Sequence, residues 1–260
     1  MITLPDEPTY DSNDSYCYDF IGWNGYYNGM TVSGSHIFSA LFEISIESLD
    51  SLIEQASSTN VILIKMMPNS QITLDDVELE RILEALSAEG DRKFTLSYDN
   101  GKISFDKNSL DSFKWDGIDA DIEQVVELTE KEIEATNDRP TYEIKLKNKD
   151  GSIKEFKKNS KDGKITIDLP YKLKDGEDKN NLYVSYMENG ELKESHDCLY
   201  YEEDGIGYVS FNTTHLSKYV IMYDSPDDES GMNIGLIIGG SAILVALLGA
   251  GIIFFVRRKI

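Results

Sequence analysis

The run from Ile234 to Val256 contains no charged residue and is followed at once by Arg257, Arg258 and Lys259. A helix rises ~1.5 Å per residue and the hydrocarbon core of a bilayer is about 30 Å thick, so about 20 apolar residues span it. This run is long enough with a small tilt, and a charge inside it would be costly. A buried core helix is the alternative, but a stretch apolar on every side over this length argues against it. Lys and Arg beside a span stay on the cytoplasmic side. The pattern therefore predicts a transmembrane helix over 232–256, a cytoplasmic basic tail over 257–260 and an ectodomain over 1–231. A cytoplasmic protein with a tail anchor is the competing topology, and it would put the basic triplet on the wrong face. Met1-Ile2-Thr3-Leu4-Pro5-Asp6 has neither a basic n-region nor an apolar h-region. The expectation is that the chain is the C-terminal part of a longer protein or a shortened reading of its gene. Arg257 to Ile260 are too few for a signalling domain, which disfavours a sensor. Gly235 and Gly239 stand at Gly-x-x-x-Gly spacing, a weak dimerisation face with lipid-facing glycine as the alternative.

Everything before the span is acidic. The formal net charge is −22, and setting aside the tail's three cations leaves −25 on the rest. Such a surface repels nucleic acid and anionic headgroups, so neither is an expected partner of the ectodomain. Solubility and spacing from an anionic envelope account for the charge. Two cysteines, Cys17 and Cys198, are too few for a disulfide scaffold. They read as two separate buried thiols, with one long-range bridge as the alternative.

The hydrophobic patterning predicts an α+β fold that is mainly β, in three stretches. Residues 1–46 form a small β unit: Tyr16, Tyr18 and Phe20 alternate, Asn24-Gly25 and Asn28-Gly29 are turn dipeptides, and Ile37 to Ile46 is a closing strand. Trp23 supplies the largest apolar area of this unit, and Gly22 permits the turn that aims it inward. Residues 47–120 are mixed α/β. Leu49, Leu52, Ile53 and Ala56 mark a helix over 47–59, and Leu79, Ile82, Leu83 and Leu86 mark a second, with Thr73 as N-cap, Asp76 at the capping-box position and Gly90 as its stop. Strands are expected at 61–66, 72–74, 94–98 and 103–105, with a short helix at 108–113. The strand–strand–helix order of 61–89 and 93–114 suggests a degenerate duplication. Residues 121–223 read as antiparallel strands with turn signals every ~10 residues, a sandwich-like region whose first strand covers Ile122 to Ile133. An acidic linker over 224–231 leads to the span.

Two stretches resemble known families. Leu4-Pro5, Pro8-Thr9, Tyr18, Phe20, Gly22-Trp23, Met30-Thr31-Val32, Gly34, Phe38, Ala40 and Phe42 follow the pattern of the Listeria–Bacteroides repeat, also called the internalin B-repeat. The resemblance covers the later half of one repeat. It implies a β-grasp-like module of microbial surface proteins, a spacer or adhesion unit without catalysis. Residues from about 160 to 223 resemble the C-terminal β module of many prokaryotic cell-surface proteins. That resemblance rests on Ile165 to Tyr171, Leu182-Tyr183-Val184, Tyr200, Val209-Ser210-Phe211 and Thr214-His215-Leu216-Ser217-Lys218-Tyr219, with Leu216 where Phe is common. It also implies no enzymatic activity.

No catalytic constellation emerges from the residues. His36, His196 and His215 are scattered, and neither His-Glu-x-x-His nor a Cys/His zinc spacing is present. His215 reads as a turn histidine bonded to backbone. There is no Gly-x-Ser-x-Gly elbow and no phosphate loop. Asp175-Gly176-Glu177-Asp178-Lys179-Asn180 has calcium-ligand residue types but not the loop order, and reads as a solvated hairpin loop. Asn13 and Asn212 head glycosylation sequons, a weak signal. No catalytic, cofactor-binding or metal-ligating residue is therefore assigned. The expectation is a non-enzymatic, single-pass protein of the prokaryotic cell surface, serving adhesion, envelope structure or display of a distal domain. Its partner would be an extracellular protein or a glycan. The alternative is an envelope polysaccharide hydrolase using paired carboxylates.

Overall fold

Tyr16, Tyr18 and Phe20 do alternate along one strand, and their hydroxyls and rings have separate tasks. The computed structural model describes residues 6–9, 13–26, 30, 37–88, 90–112, 114–153 and 163–224. The run Ile234–Val256, its basic tail, Gly235, Gly239, His36 and most of the linker lie outside them. Among the described residues no helix is long and apolar enough to cross a membrane. Residues 1–225 form one compact unit, mainly β with few helices.

In chain order the unit begins with β1 (Tyr16–Asn24), β2 (Ser39–Ile46), α1 (Leu49–Thr59), β3 (Val61–Lys65) and β4 (Ser70–Ile72). It continues with α2 (Asp76–Leu86), β5 (Lys93–Tyr98), β6 (Gly101–Phe105), α3 (Lys107–Leu110), β7 (Asp119–Gln124) and α4 (Glu130–Thr136). The last part is β8 (Thr141–Lys147), β9 (Ile165–Pro170), β10 (Leu182–Glu188), β11 (Glu191–Glu203), β12 (Ile206–Thr213) and β13 (Lys218–Tyr223). β1, β2 and β4 form a three-stranded sheet in which β4 runs parallel to β2. The other ten strands are ordered β3-β5-β6-β9-β12-β11-β10-β13-β8-β7.

β11 is the pivot of the large sheet. Its first half pairs with β10 and its second half with β12, so one continuous strand joins the two parts of the sheet. The sheet halves on either side of it bury their apolar faces in one core: Ile144, Leu146, Ile167, Leu169, Phe211 and Ile221 belong to the same cluster. The Tyr142 hydroxyl of β8 donates to the Pro170 carbonyl of β9 at 2.7 Å, and the Ala120 amide of β7 donates to the Tyr98 hydroxyl of β5 at 2.9 Å. Tyr16, Ile44, Leu52 and Ile82 belong to that cluster too. The divisions expected near 46 and 120 therefore do not separate cores. β9 of the last stretch pairs with β6 of the middle one.

The small sheet caps one end of the large sheet's outer edge, at Lys65. β3 is an outer strand of the ten, and an unpaired edge invites further strands. The Lys65 amide donates to the Tyr16 hydroxyl at 3.0 Å, and the Tyr18 hydroxyl donates to the Lys65 carbonyl at 2.7 Å. Gly22, at φ +148°, sits where a bulge breaks the β1–β2 register. It does not send Trp23 into the core: Trp23 is half-buried against Phe20, with ring centroids 5.5 Å apart. The core tryptophan is Trp115, 1% exposed, edge-on to Phe94 and Phe105, with its indole N–H on the Leu110 carbonyl at 3.0 Å.

Other expectations change for local reasons. α2 is capped by Asp75 in a box with Glu78, not by Thr73 with Asp76, because the Thr73 hydroxyl is engaged with Glu43 and the Gly117 amide. The helix ends at Leu86 with Ser87 as its cap, before Gly90. β3 and β4 lie in different sheets whereas β5 and β6 form a hairpin, so the two strand–strand–helix runs are not structural repeats. The strand expected to reach Ile133 stops at Gln124. Thr129 and Glu132 then form a capping box that starts α4.

Candidate functional site

Strand alternation gives the large sheet two faces. Ile62, Phe94, Ile103, Ile167 and Val209 point into the core, and the residues between them point away from it. Register then lines up the outward residues. Leu63, Thr95, Ser104, Thr166 and Asn212 form one row across β3, β5, β6, β9 and β12. Lys102, Asp168 and Ser210 form the neighbouring row. Four of the five residues in the first row have short polar side chains, so the row is a trough. The end of α1 borders it with Gln55, Ser58 and Thr59, and β11 borders it with Tyr201 and Glu203. The groove has a volume of about 520 Å³, within the ~300–1,000 Å³ typical of small-ligand sites.

The polar groups are cross-linked but retain bonding capacity. The Thr95 and Ser104 hydroxyls bond each other at 2.8 Å, and Thr166 Oγ1 donates to Asn212 Oδ1 at 2.8 Å while accepting from Lys93 Nζ at 2.9 Å. Asp168 lies on the groove floor and is only 8% exposed. Burial pushes its carboxyl above the usual range, against the Ser210 and Tyr201 hydroxyls and the nearby Lys102 and Lys93, which favour the ionised form. Lys102 pairs with Glu203 and lies 5.0 Å from the Tyr208 ring centroid. Tyr208 stacks on Tyr201 at 5.4 Å with 21° between the planes. Two lysines thus balance two carboxylates, in a chain whose net charge is −22. The lining contains neither histidine nor cysteine. Its chemistry is that of hydrogen-bond donors and acceptors.

A second cleft, of about 360 Å³, lies among Met66–Asn69, Tyr98–Asn100, Asp119–Ile122 and Lys147. Asp119 and Asp121 are two apart on β7 and share a face, roughly 6.5–7 Å apart along the strand. Burial pushes the Asp119 carboxyl up to about 6, against Lys147, the Ala120 amide and the Tyr98 hydroxyl, which favour its ionised form. Asp121 pairs with Lys147 Nζ at 2.8 Å.

The residues singled out in the sequence have structural tasks. His215 lies in the turn before β13: its amide donates to Thr213 Oγ1 at 3.3 Å and its carbonyl accepts from the Tyr219 hydroxyl at 2.6 Å. His196 packs on Phe211 and Tyr219, and burial lowers its imidazole. Among the described residues no group of three or more His, Cys, Asp and Glu is placed to hold a metal ion. Cys17 and Cys198 are separate, half-buried thiols, both pushed up to about 11, first by burial. The 175–180 loop is not simply solvated. Glu177 accepts from Arg139 and from the Tyr171 hydroxyl at 2.5 and 2.6 Å, and the Asp178 side chain caps the 3-10 turn Lys179–Asn181. Asn13 Oδ1 accepts from the amides of Ser15 and Tyr16, and Asn212 is an exposed member of the trough. The sequence marked Asn212 as a sequon and placed Thr166, Asp168 and Ser210 in the surface-module resemblance, but nothing joined them to Thr95 and Ser104, because what they share is register across five strands. No protein-family model, curated protein or solved structure matches the chain.

Proposed function

We propose that this chain is a non-enzymatic, membrane-anchored protein of a prokaryotic cell surface, with its β-rich unit outside and the groove on the large sheet as its binding face. The observation that carries the reading is the uncharged, mostly apolar run Ile234–Val256 closed by Arg257-Arg258-Lys259, which orients a single span. The resemblances of 1–46 to a Listeria–Bacteroides repeat and of about 160–223 to a surface-protein β module support it. On this reading the N-terminal unit is β-grasp-like and residues 121–223 belong to a sandwich-like region. The shared strand β11 and the Tyr142–Pro170 hydrogen bond support the latter. The groove adds donors, acceptors and balanced charge without a base poised on a nucleophile, which favours adhesion over bond cleavage. Protease shaving of intact cells, with a tag after Ile260, tests the placement. The expected result is loss of the mass of 1–231 and a small tagged membrane fragment. Survival of the chain until lysis would overturn it.

One observation favours a polysaccharide hydrolase as the second reading. Asp119, with its carboxyl pushed up to about 6, and Asp121, paired with Lys147, line one cleft from the same face of β7, the two carboxyl groups such a reaction needs. The ion pair with Lys147 counts against it by occupying the would-be base. Incubation of the full-length chain with envelope polysaccharide decides the matter. Release of reducing ends that is lost in both Asp119→Asn and Asp121→Asn establishes the hydrolase, and no release removes it.

A further inference from the structure

We infer that the groove on the large sheet binds a neutral, polyhydroxylated ligand, a segment of uncharged glycan; this deepens the surface-binding reading and rests on it. Charge selects the class first. The lining balances Lys93 and Lys102 against Asp168 and Glu203, while the chain as a whole carries −22. An anionic polymer would be repelled by the surrounding surface and would meet the carboxylate of Asp168 on the floor. A cationic ligand would find stronger attraction elsewhere on the protein and two lysines here. A neutral ligand suffers neither cost.

The bonding capacity selects within that class. A sugar hydroxyl is both donor and acceptor, and so are the hydroxyls of Thr95, Ser104, Thr166 and Ser210 along the trough. Each can keep its present partner and still use a remaining lone pair or proton. Asp168, held between the Ser210 and Tyr201 hydroxyls, adds an acceptor that suits paired hydroxyls of one ring. Tyr201, which lines the groove at the β11 end and is held by its stack on Tyr208, offers an aromatic ring for the C–H face of a pyranose, and Leu63, 42% exposed, offers an aliphatic surface at the β3 end. Short side chains between two apolar ends form a bed for an extended, hydroxyl-bearing chain.

The test uses the full-length chain in a sugar-free zwitterionic detergent. It is titrated calorimetrically with neutral oligomers of β-glucan, α-mannan and chitin, and in parallel with polygalacturonate and an acidic peptide. At least one neutral oligomer should bind with an affinity that changes little with salt, since no net charge is brought together. The double variant Thr95→Val/Ser104→Ala removes both members of a buried hydroxyl pair and so orphans neither. It should weaken binding at least about tenfold while the thermal transition stays cooperative. Tyr201→Ala, at the groove border, should do the same and serves if the double variant fails to fold. Absence of binding by every neutral oligomer overturns the inference, as does binding only of the anionic probes or binding untouched by either variant. Shaving is independent of this outcome: a shaved ectodomain without glycan binding removes the ligand and leaves the surface placement. Glycan binding by a chain that resists protease until lysis keeps the groove and removes the anchor's orientation.

Discussion

Asp119 is where single-residue energetics are most exposed to test. Its carboxyl is raised from 3.8 to about 6, first by burial, so the folded state holds the proton more tightly than the unfolded chain. That contribution is unfavourable above about pH 6 and disappears as pH falls below about 4. Asp119→Asn should therefore stabilise the protein at pH 7 by on the order of 2–3 kcal/mol, with the gain vanishing near pH 4. Urea unfolding of both proteins across that range measures it, and an equal difference at both ends would contradict the assignment. Arg139 and Glu177 show the opposite balance. Burial alone would raise Glu177, but the Tyr171 hydroxyl, the Lys174 amide and Arg139 outweigh it and hold the carboxyl below its usual range. The two side chains are 13% and 6% exposed. Arg139→Ala removes the cation beside a buried carboxylate that keeps only its bonds from the Tyr171 hydroxyl and the Lys174 amide, and should cost about 3 kcal/mol, whereas Arg139→Met with Glu177→Leu should recover most of that loss. Denaturation of the single and double variants separates a lost charge partner from lost packing.

At the scale of elements, α4 and the β11–β12 hairpin carry testable features. α4 has only seven residues, too few for a stable helix in isolation. Thr129 caps it, and Glu132 closes the box while its other oxygen pairs with Lys218 of β13 at 2.7 Å. The Lys218 hydrogen bond, then the Thr129 amide and hydroxyl, hold Glu132 down at about 2. Thr129→Ala should cost about 1 kcal/mol and raise exchange of the α4 amides selectively. In the hairpin, a Cβ on Gly207 would stand 2.2 Å from the Tyr200 hydroxyl and 2.4 Å from the Tyr171 carbonyl. The Tyr171 amide also bonds the Gly207 carbonyl at 2.8 Å, so the backbone there cannot retreat freely. Gly207→Ala should destabilise by about 1–3 kcal/mol, read as a lower denaturation midpoint with an unchanged slope.

For the whole molecule, the shifts combine into a pH profile. Glu132 and Glu177 sit below their usual values, so their stabilisation is complete above about pH 4.5 and is lost as pH falls further. Asp119 acts in the other direction between about 6 and 4. The net charge of −22 adds self-repulsion at neutral pH that fades toward the isoelectric point near 4.4. Thermal stability should therefore peak near about pH 5 rather than at 7, and added salt should raise it at pH 7 more than at pH 5. A melting series in pH and salt checks both.

Features that depend on neighbours a few residues apart can be read from the chain alone. Alternation placed most strands of the β-rich unit, and apolar spacing placed α1 and α2. The charge balance and the apolar run near the C-terminus were equally plain. Thr129-x-x-Glu132 was a local signal too, and partial alternation from Ile122 to Ile133 obscured it. Which strands meet depends on long-range packing that no local pattern encodes. Nothing near Val61 or Ser70 says that β3 and β4 join different sheets, or that β9 lies beside β6 and carries the last stretch into the same core. Nor does the neighbourhood of Tyr16 and Tyr18 reveal that their hydroxyls cap β3 at Lys65. The groove depends on this most strongly. Thr95, Ser104, Thr166 and Asn212 are ordinary outward residues of separate strands, and they become a row only when four pairings fall in register. Register is set by burial of the opposite face, where a slip of one residue would turn every core side chain toward water. The apolar positions, which can be read from the chain, therefore align the polar ones, whose partners cannot.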